Sequence, residues 1–238
     1  MNISMSRRLT AEFLGTAFLV AAVVGSGVMG DRLTNGNIAL ALLANTVATG
    51  AALVALILTF RPISGAHFNP AVTLGDAIEG DLSWRHTAQY VLARIAGGIT
   101  GTVAANLMFD LPAFSISQRI RGGPAQFLSE FIATFGLLSV IWGCSRIRSN
   151  VVPLAVGAYI TAAYWFTAST SFANPAVTIA RSFSNTFAGI RPADVSLFIF
   201  AQLAGAVGAT FLFRWLVPGL KKSSSGVIVP HGEPRKDL

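Results

Sequence analysis

The sequence predicts an all-α membrane protein with six transmembrane helices and two re-entrant half-helices, arranged as an inverted three-span repeat. Three observations lead to this fold class: the composition, a tripeptide that occurs twice, and a set of residues that repeats in the same order. Hydrophobic residues make up 53% of the chain and charged residues 11%. Since a soluble domain carries about 25% charged residues, this composition indicates a membrane protein. The net charge of +7 is therefore interpreted as a guide to orientation rather than as a sign of nucleic-acid binding.

Six apolar stretches are long enough to cross a hydrocarbon core of about 30 Å. They cover residues 9–30, 37–60, 85–108, 125–144, 151–169 and 194–217. The first stretch contains Glu12 and lacks a small-residue cleavage site, so it is predicted to be a retained span rather than a signal peptide. The spans form a single transmembrane domain over residues 1–220. Residues 221–238, with three serines and mixed charges, are predicted to be a flexible cytoplasmic tail.

The tripeptide Asn-Pro-Ala occurs at Asn69-Pro70-Ala71 and again at Asn174-Pro175-Ala176, each time followed by Val-Thr. Asn is a favoured helix N-cap and Pro is favoured at the first helical position, so each copy predicts a helix start. The two helices are predicted to end near Ala77 and Phe183. About ten residues at about 1.5 Å each span about 15 Å, half of the hydrocarbon core. Both helices are therefore predicted to begin inside the membrane.

An internal repeat relates the two halves of the domain, at about residues 8–108 and 125–217. Glu12-Phe13 matches Glu130-Phe131, 118 positions later, and the two Asn-Pro-Ala copies are 105 positions apart. Gly97 likewise matches Gly205. Because each half has three spans, an odd number, the second half must be inverted in the membrane relative to the first. Inverted repeats place discontinuous helices at the membrane midplane, along a solute path.

Positive residues predict the orientation of the spans. With both termini cytoplasmic, eleven Lys and Arg residues fall inside, five fall outside, and Arg94 lies within a span. This distribution predicts a multi-pass protein of the cell (inner) membrane with both termini in the cytoplasm.

The stretch Ile63–Thr73, Ile-Ser-Gly-Ala-His-Phe-Asn-Pro-Ala-Val-Thr, closely resembles the first signature of the aquaporin family, also called major intrinsic proteins. The resemblance extends over about residues 7–217. It implies two half-helices that meet at their Asn-Pro-Ala starts, a pore in every subunit and a homotetramer. The segment Asn174–Ser182 is most similar to bacterial members associated with arsenic-resistance genes, which pass undissociated arsenite-type hydroxides. Val177 also occurs in some plant vacuolar relatives that pass diverse small solutes.

The chemistry of Asn69 and Asn174 agrees with this resemblance. Two helix N-termini at the midplane bring together two partial positive charges of about half a unit each. Such an arrangement repels cations, including protons, and leaves neutral solutes alone. The side-chain amides of the two asparagines are expected to donate hydrogen bonds into the pore while their oxygens cap the helices.

Glu12 and Glu130 are carboxylates within apolar spans, where such residues serve function or bracing. The resemblance implies that each accepts hydrogen bonds from the non-helical chain around a half-helix; a proton relay is the alternative. His67 is expected to support the loop before Asn69, with direct solute binding as the alternative. Arg94, whose repeat partner is Gln202, is expected to brace the same loop, with a pore-lining position as the alternative.

The narrowing positions of the pore are taken from the resemblance by their spacing from the motifs. Thr49 corresponds to the second-span position, Ser171 to the loop position, and Val177 to the place where most relatives carry an Arg. For the fifth-span position, helix phase selects Tyr164 and counting back from Asn174 selects Ala162; Tyr164 is preferred. These residues predict a wide filter without a fixed charge.

Arg181 lies four residues after Val177, about one turn further outward. We interpret it as a surface cation, in slight preference to a side chain in the external vestibule.

Together these residues predict a passive channel for water, glycerol-like polyols and arsenite-type hydroxides that excludes protons and ions. The expected partners are small neutral solutes and membrane lipid, with no nucleic acid. Cys144 is the only cysteine and there are three histidines, so no catalytic residue, cofactor or metal site is predicted. The alternatives are a secondary transporter with alternating access and a non-conducting membrane assembly protein on the same fold.

Overall fold

The computed structural model describes residues 3–147 and 149–217. The predicted tail at 221–238 and the last residues of the predicted domain lie outside the described residues. Five helices are long and apolar enough to cross a membrane. They are α1 (Met5–Leu33), α2 (Ile38–Ser64), α4 (Trp84–Met108), α5 (Pro124–Ile147) and α8 (Pro192–Leu216). Two short helices follow the Asn-Pro-Ala starts: α3 (Pro70–Glu79) and α7 (Pro175–Arg181).

The remaining helix, α6 (Val152–Phe166), is shorter than the predicted span of 151–169. It follows a 3₁₀ turn at Ser149–Val151. Its end is local in origin, because Thr167 has an extended backbone (φ −112°, ψ 135°) and its hydroxyl donates to the carbonyl of Ala163 at 2.7 Å. Thr170 and Ser171 then adopt positive φ angles, 60° and 48°, which a helix cannot accommodate. Residues 167–171 therefore belong to the loop that leads to the second half-helix.

Both half-helices begin as predicted and end close to the predicted residues. α3 runs to Glu79, where Gly80 stops it with φ 91°. α7 ends at Arg181 rather than near Phe183, and Ser182 follows as its C-cap.

In each half of the molecule the first and last helices pack closely together, α1 with α4 and α5 with α8. Glycine makes both contacts possible. A Cβ atom on Gly97 would lie 2.3 Å from the carbonyl oxygen of Phe13, and one on Gly205 would lie 2.5 Å from the carbonyl oxygen of Phe131. These four residues are the ones that the sequence repeat relates. The same backbone approach thus occurs at equivalent places in both halves, as expected where small residues let membrane helices come close together.

Candidate functional site

The two half-helices meet at their N-termini, where Asn69 and Asn174 hold the two loops together. Each asparagine has an extended backbone and caps its own helix, accepting from the amide of Ala71 (2.9 Å) or Ala176 (3.0 Å). The Nδ2 atom of Asn69 donates to the carbonyl of Ala173 at 2.7 Å. Nδ2 of Asn174 donates to the carbonyl of Phe68, also at 2.7 Å. This exchange leaves the second hydrogen of each amide available to a molecule in the adjoining space.

The loops before the half-helices have unusual backbone conformations. Ala66, Phe68, Ser171 and Ala173 all have φ between 47° and 50°. Left-handed conformations of non-glycine residues cost free energy and persist only where surrounding contacts enforce them. Here the positions recur 105 residues apart, so the two loops have the same backbone conformation at equivalent positions of the repeat.

Glu12 stabilises the backbone conformation of the first loop. Its Oε1 accepts from the Ser64 hydroxyl (2.6 Å) and the His67 amide (3.1 Å), and its Oε2 accepts from the Phe68 amide (2.9 Å). Arg94 completes the set, with Nε 2.7 Å from Oε2. Glu12 and Arg94 are fully buried, and Arg94 also donates to the Asn69 carbonyl at 3.1 Å and to the Thr73 hydroxyl.

Glu130 does the same for the second loop without a cation. Its oxygens accept from the amides of Phe172 and Ala173, each at 2.9 Å, and from Nε2 of Gln202 at 2.6 Å. Gln202 donates also to Thr178 Oγ1 at 2.9 Å. The repeat is therefore chemically asymmetric: one half uses a buried ion pair where the other uses a neutral amide.

A cavity with about 950 Å³ of empty space, its open ends included, runs past both asparagines. Arg61 and Arg181 both contribute to its wall. Arg61 donates to the Ser149 carbonyl, before α6, and Arg181 donates to the Ala188 carbonyl, before α8. α6 leads from the Ser149 turn to the loop that contains Ser169, and Arg121 joins the Ser169 carbonyl to that of Gly189, next to Ala188. The two arginines therefore mark opposite ends. The end next to Arg181 is called the outer end below.

All four residues preferred for the narrow part of the pore line this cavity: Thr49, Tyr164, Ser171 and Val177. The hydroxyls of Thr49 and Tyr164 lie 3.2 Å apart, within hydrogen-bond distance. Ala162, the other candidate on α6, is exposed on the surface of the helix and does not line the cavity. His67 lines the cavity and its Nδ1 lies 2.9 Å from Thr73 Oγ1, so it both supports the loop and faces the path. Arg94 is not part of the cavity wall.

The interpretation of Arg181 as a surface cation is wrong. Its exposed fraction is 2%, its guanidinium carbon lies 3.4 Å from the centre of the Phe172 ring, and it lines the cavity. Burial results from the loop before α8, which folds over the end of α7 and supplies the Ala188 carbonyl. The cavity wall therefore contains a fixed positive charge about one turn from Val177, while the four residues predicted for the filter are themselves uncharged.

Arg121 was counted only as an external charge in the sequence, yet it is also buried. Its Nε and Nη1 donate to the carbonyls of Gly189 (2.8 Å) and Ser169 (2.9 Å). Its guanidinium carbon lies 4.8 Å from the Phe172 ring centre, so two arginines share this ring. Burial, and then the positive charges of Arg181 and Arg119, lower the pKa of Arg121 to about 9. No sequence signal distinguishes it from the other arginines outside the spans.

Three further residues of the site were not singled out from the sequence. The Val-Thr that follows each Asn-Pro-Ala supplies Thr73 and Thr178, whose hydroxyls donate to the Asn69 and Asn174 carbonyls at 3.2 and 2.8 Å. Their recurrence in the motif was a usable signal. Tyr90, whose hydroxyl donates to the Ser64 carbonyl at 3.1 Å, carried no such signal.

Comparison with known proteins agrees with this geometry. The family model described as major intrinsic protein matches residues 1–171 and 126–233. Aquaglyceroporin AqpS of Rhizobium meliloti (strain 1021) is 59% identical over 91% of this chain and 92% of its own length. Aquaporin NIP1-4 of Oryza sativa subsp. japonica is 32% identical over 90% of this chain and 78% of its own length.

A solved structure shows the same fold. The X-ray structure of the aquaglyceroporin from Plasmodium falciparum superposes with a TM-score of 0.69 over 90% of this chain and 98% of that chain, at 21% identity. The predicted fold class, all-α with two re-entrant half-helices in an inverted repeat, is confirmed. The chain belongs to the major intrinsic protein family and is a multi-pass membrane channel rather than an enzyme.

Proposed function

We propose that this protein is a passive channel for small uncharged solutes, namely water, glycerol-like polyols and arsenite-type hydroxides, and that it excludes protons and ions. One observation carries the proposal: a continuous cavity passes the N-termini of both half-helices and the side chains of Asn69 and Asn174. A hydroxyl in the cavity meets amide donors there and mostly apolar wall elsewhere. The relatives named aquaglyceroporin and glycerol uptake facilitator, the latter from Streptococcus pneumoniae and 30% identical, support a polyol-passing channel.

We assign selectivity to Thr49, Tyr164, Ser171 and Val177. Three of these side chains are small, so the opening they form accommodates solutes bulkier than water. The hydrogen bond between Thr49 and Tyr164 holds the largest of the four against the wall. This breadth supports glycerol and arsenite-type hydroxides as substrates alongside water.

We assign bracing to Glu12, Glu130, Arg94 and Gln202, and a combined bracing and pore-facing role to His67. The contacts of both carboxylates go to loop amides and to their repeat-related partners. A proton relay is disfavoured because neither carboxylate lines the cavity.

Assembly and orientation follow from the same family pattern. We propose a homotetramer in the cell (inner) membrane with both termini cytoplasmic. Many large apolar side chains are exposed on the helices, Phe18, Val47, Leu92 and Phe200 among them, and these suit contact with lipid or with another subunit. Crosslinking of the purified protein in detergent would measure the number of subunits.

Light scattering from osmotically shocked proteoliposomes tests the channel function. We expect rapid shrinkage with a weak temperature dependence, followed by reswelling as glycerol enters. A strong temperature dependence would favour a transporter with alternating access, and shrinkage no faster than that of protein-free liposomes would favour a non-conducting assembly protein. Arsenite uptake, measured in the same liposomes, tests the narrower part of the proposal.

A further inference from the structure

The guanidinium of Arg181 is only partly satisfied by the protein. Its Nε donates to the Ala188 carbonyl, and its carbon stacks on Phe172. Among the described residues, no acceptor takes a hydrogen bond from its two terminal nitrogens, and neither is sealed away from the cavity that the side chain lines. A charged fork with a bidentate geometry is thus held in a fixed position with its donors free.

Ser171 supplies a second unused donor beside it. Its exposed fraction is 2%, it lines the cavity, and its Oγ has no hydrogen-bond partner among the described residues. Buried hydroxyls are normally hydrogen-bonded. This one is covered in its present rotamer, so it reaches a ligand atom in the cavity by rotation about χ1. Ser171 immediately precedes Phe172, the ring on which Arg181 is stacked.

The local charge is predominantly positive. Arg121 lies on the same ring, and the described cavity wall contains Arg61 and Arg181 but neither Asp nor Glu. The nearby carboxylate of Glu130 offsets part of this charge, but it lies outside the cavity wall and accepts from the amides of Phe172 and Ala173. A small anion would therefore find two arginines, free donors and no carboxylate on the described wall of the outer end.

We propose that the outer end of the cavity is a binding subsite for small oxyanions of the carboxylate type, with the guanidinium of Arg181 as its charged donor and the hydroxyl of Ser171 as its second donor. The subsite goes beyond a channel for uncharged solutes. Beyond Asn69 and Asn174 the wall includes Leu53, Ile57 and Val156, which offer no donor to a dehydrated anion. An oxyanion bound at the outer end therefore obstructs the path of neutral solutes instead of crossing.

Formate is a suitable probe, and chloride, which is not an oxyanion, replaces it at constant ionic strength. Water flux into wild-type proteoliposomes is expected to fall at least twofold, and saturably, as formate replaces chloride. Formate is also expected to raise the thermal unfolding temperature of the purified protein in detergent. The second measurement needs no transport, so it tests the subsite even if the channel function fails.

Variants identify the site. Arg181→Gln should raise the half-effect concentration of formate at least tenfold in both measurements, whereas Arg181→Lys, which keeps the charge, should raise it less. Ser171→Ala, which breaks no hydrogen bond within the described protein, should raise it severalfold. Arg32→Gln is the matched control, because it removes the same charge from an exposed position outside the cavity and should leave the formate effect unchanged. The proposal is overturned if formate affects neither measurement, or if Arg181→Gln responds as the wild type does.

Discussion

Val177 and Arg181 lie four residues apart on α7, and both face the cavity. At Val177 the wall is aliphatic and leaves room; at Arg181 it carries a charge with free donors. This chain therefore has a small side chain at position 177 and a positive charge at position 181. An arginine at position 177 would be both bulky and charged. We expect a wide opening next to a guanidinium to admit bulky hydroxylated solutes and to repel cations.

Val177→Arg should place bulk and positive charge at the same position and narrow the opening. The new guanidinium adds bulk and lies one turn from Arg181, so the two charges repel and both are pushed into the path. We expect glycerol and arsenite flux through proteoliposomes to fall at least tenfold, and water flux to fall much less. Val177→Met adds bulk without charge and should have a smaller effect. An unchanged ratio of glycerol to water flux would show that residue 177 does not line the narrow part of the pore.

Glu12 and Glu130 differ in what surrounds them, and the difference is measurable. Glu12→Gln removes the counterion of fully buried Arg94, a loss of about 3–5 kcal/mol for a broken buried pair. Glu130→Gln weakens hydrogen bonds to two amides and to Gln202, about 1–3 kcal/mol. Among the described residues it leaves no ion partner within 4 Å unpaired.

Thermal unfolding of the two purified variants should thus show a larger decrease for Glu12→Gln than for Glu130→Gln, with the solute preference of the folded protein unchanged. Equal decreases would mean that Arg94 finds other compensation. A pH-dependent flux in either variant at normal stability would instead favour the proton relay.

At the scale of the elements, helix starts can be predicted from the sequence because their signals are local. Features that depend on contacts between residues far apart in the sequence are not predicted. The half-helix starts were predictable because Asn at the N-cap and Pro at the first position act within four residues. α6 ends three residues before the predicted end of the span, because Thr167 leaves the helix with an extended backbone and the positive φ angles of Thr170 and Ser171 prevent its continuation. The burial of Arg181 depends on the loop carrying Ala188, whose packing has no local signal.

The contact between α5 and α8 depends on one glycine of the repeat. Gly205→Ala places a methyl group 2.5 Å from the Phe131 carbonyl oxygen, so the helices must separate at a cost of about 1–3 kcal/mol. We expect a lower unfolding temperature and yield. Gly208→Ala on the same helix is the matched control, because its nearest neighbour is a Phe135 ring atom at 3.5 Å. It should be neutral or slightly stabilising, and equal losses in the two variants would show that Gly205 does not set the helix spacing.

At the scale of the whole molecule, the inverted repeat brings several sources of positive potential to one path. The two half-helix N-termini point at each other across Asn69 and Asn174, and an arginine lies at each end. No Asp or Glu is part of the described cavity wall. We therefore propose that a barrier to cations is distributed along the cavity rather than placed at one residue.

Wild-type protein should accordingly pass water without a proton or Na⁺ current, measured in proteoliposomes with a pH-sensitive dye and in planar bilayers. Asn69→Asp combined with Asn174→Asp keeps an acceptor at each cap but places two carboxylates between the helix N-termini, so a cation leak should appear. Asn69→Ser with Asn174→Ser is the control: the caps persist and the amides are lost without added charge, and the leak should stay near the wild-type level. A wild-type cation current proportional to protein content would contradict this electrostatic explanation, because the potential of the intact cavity would then be too weak to exclude the ions it faces.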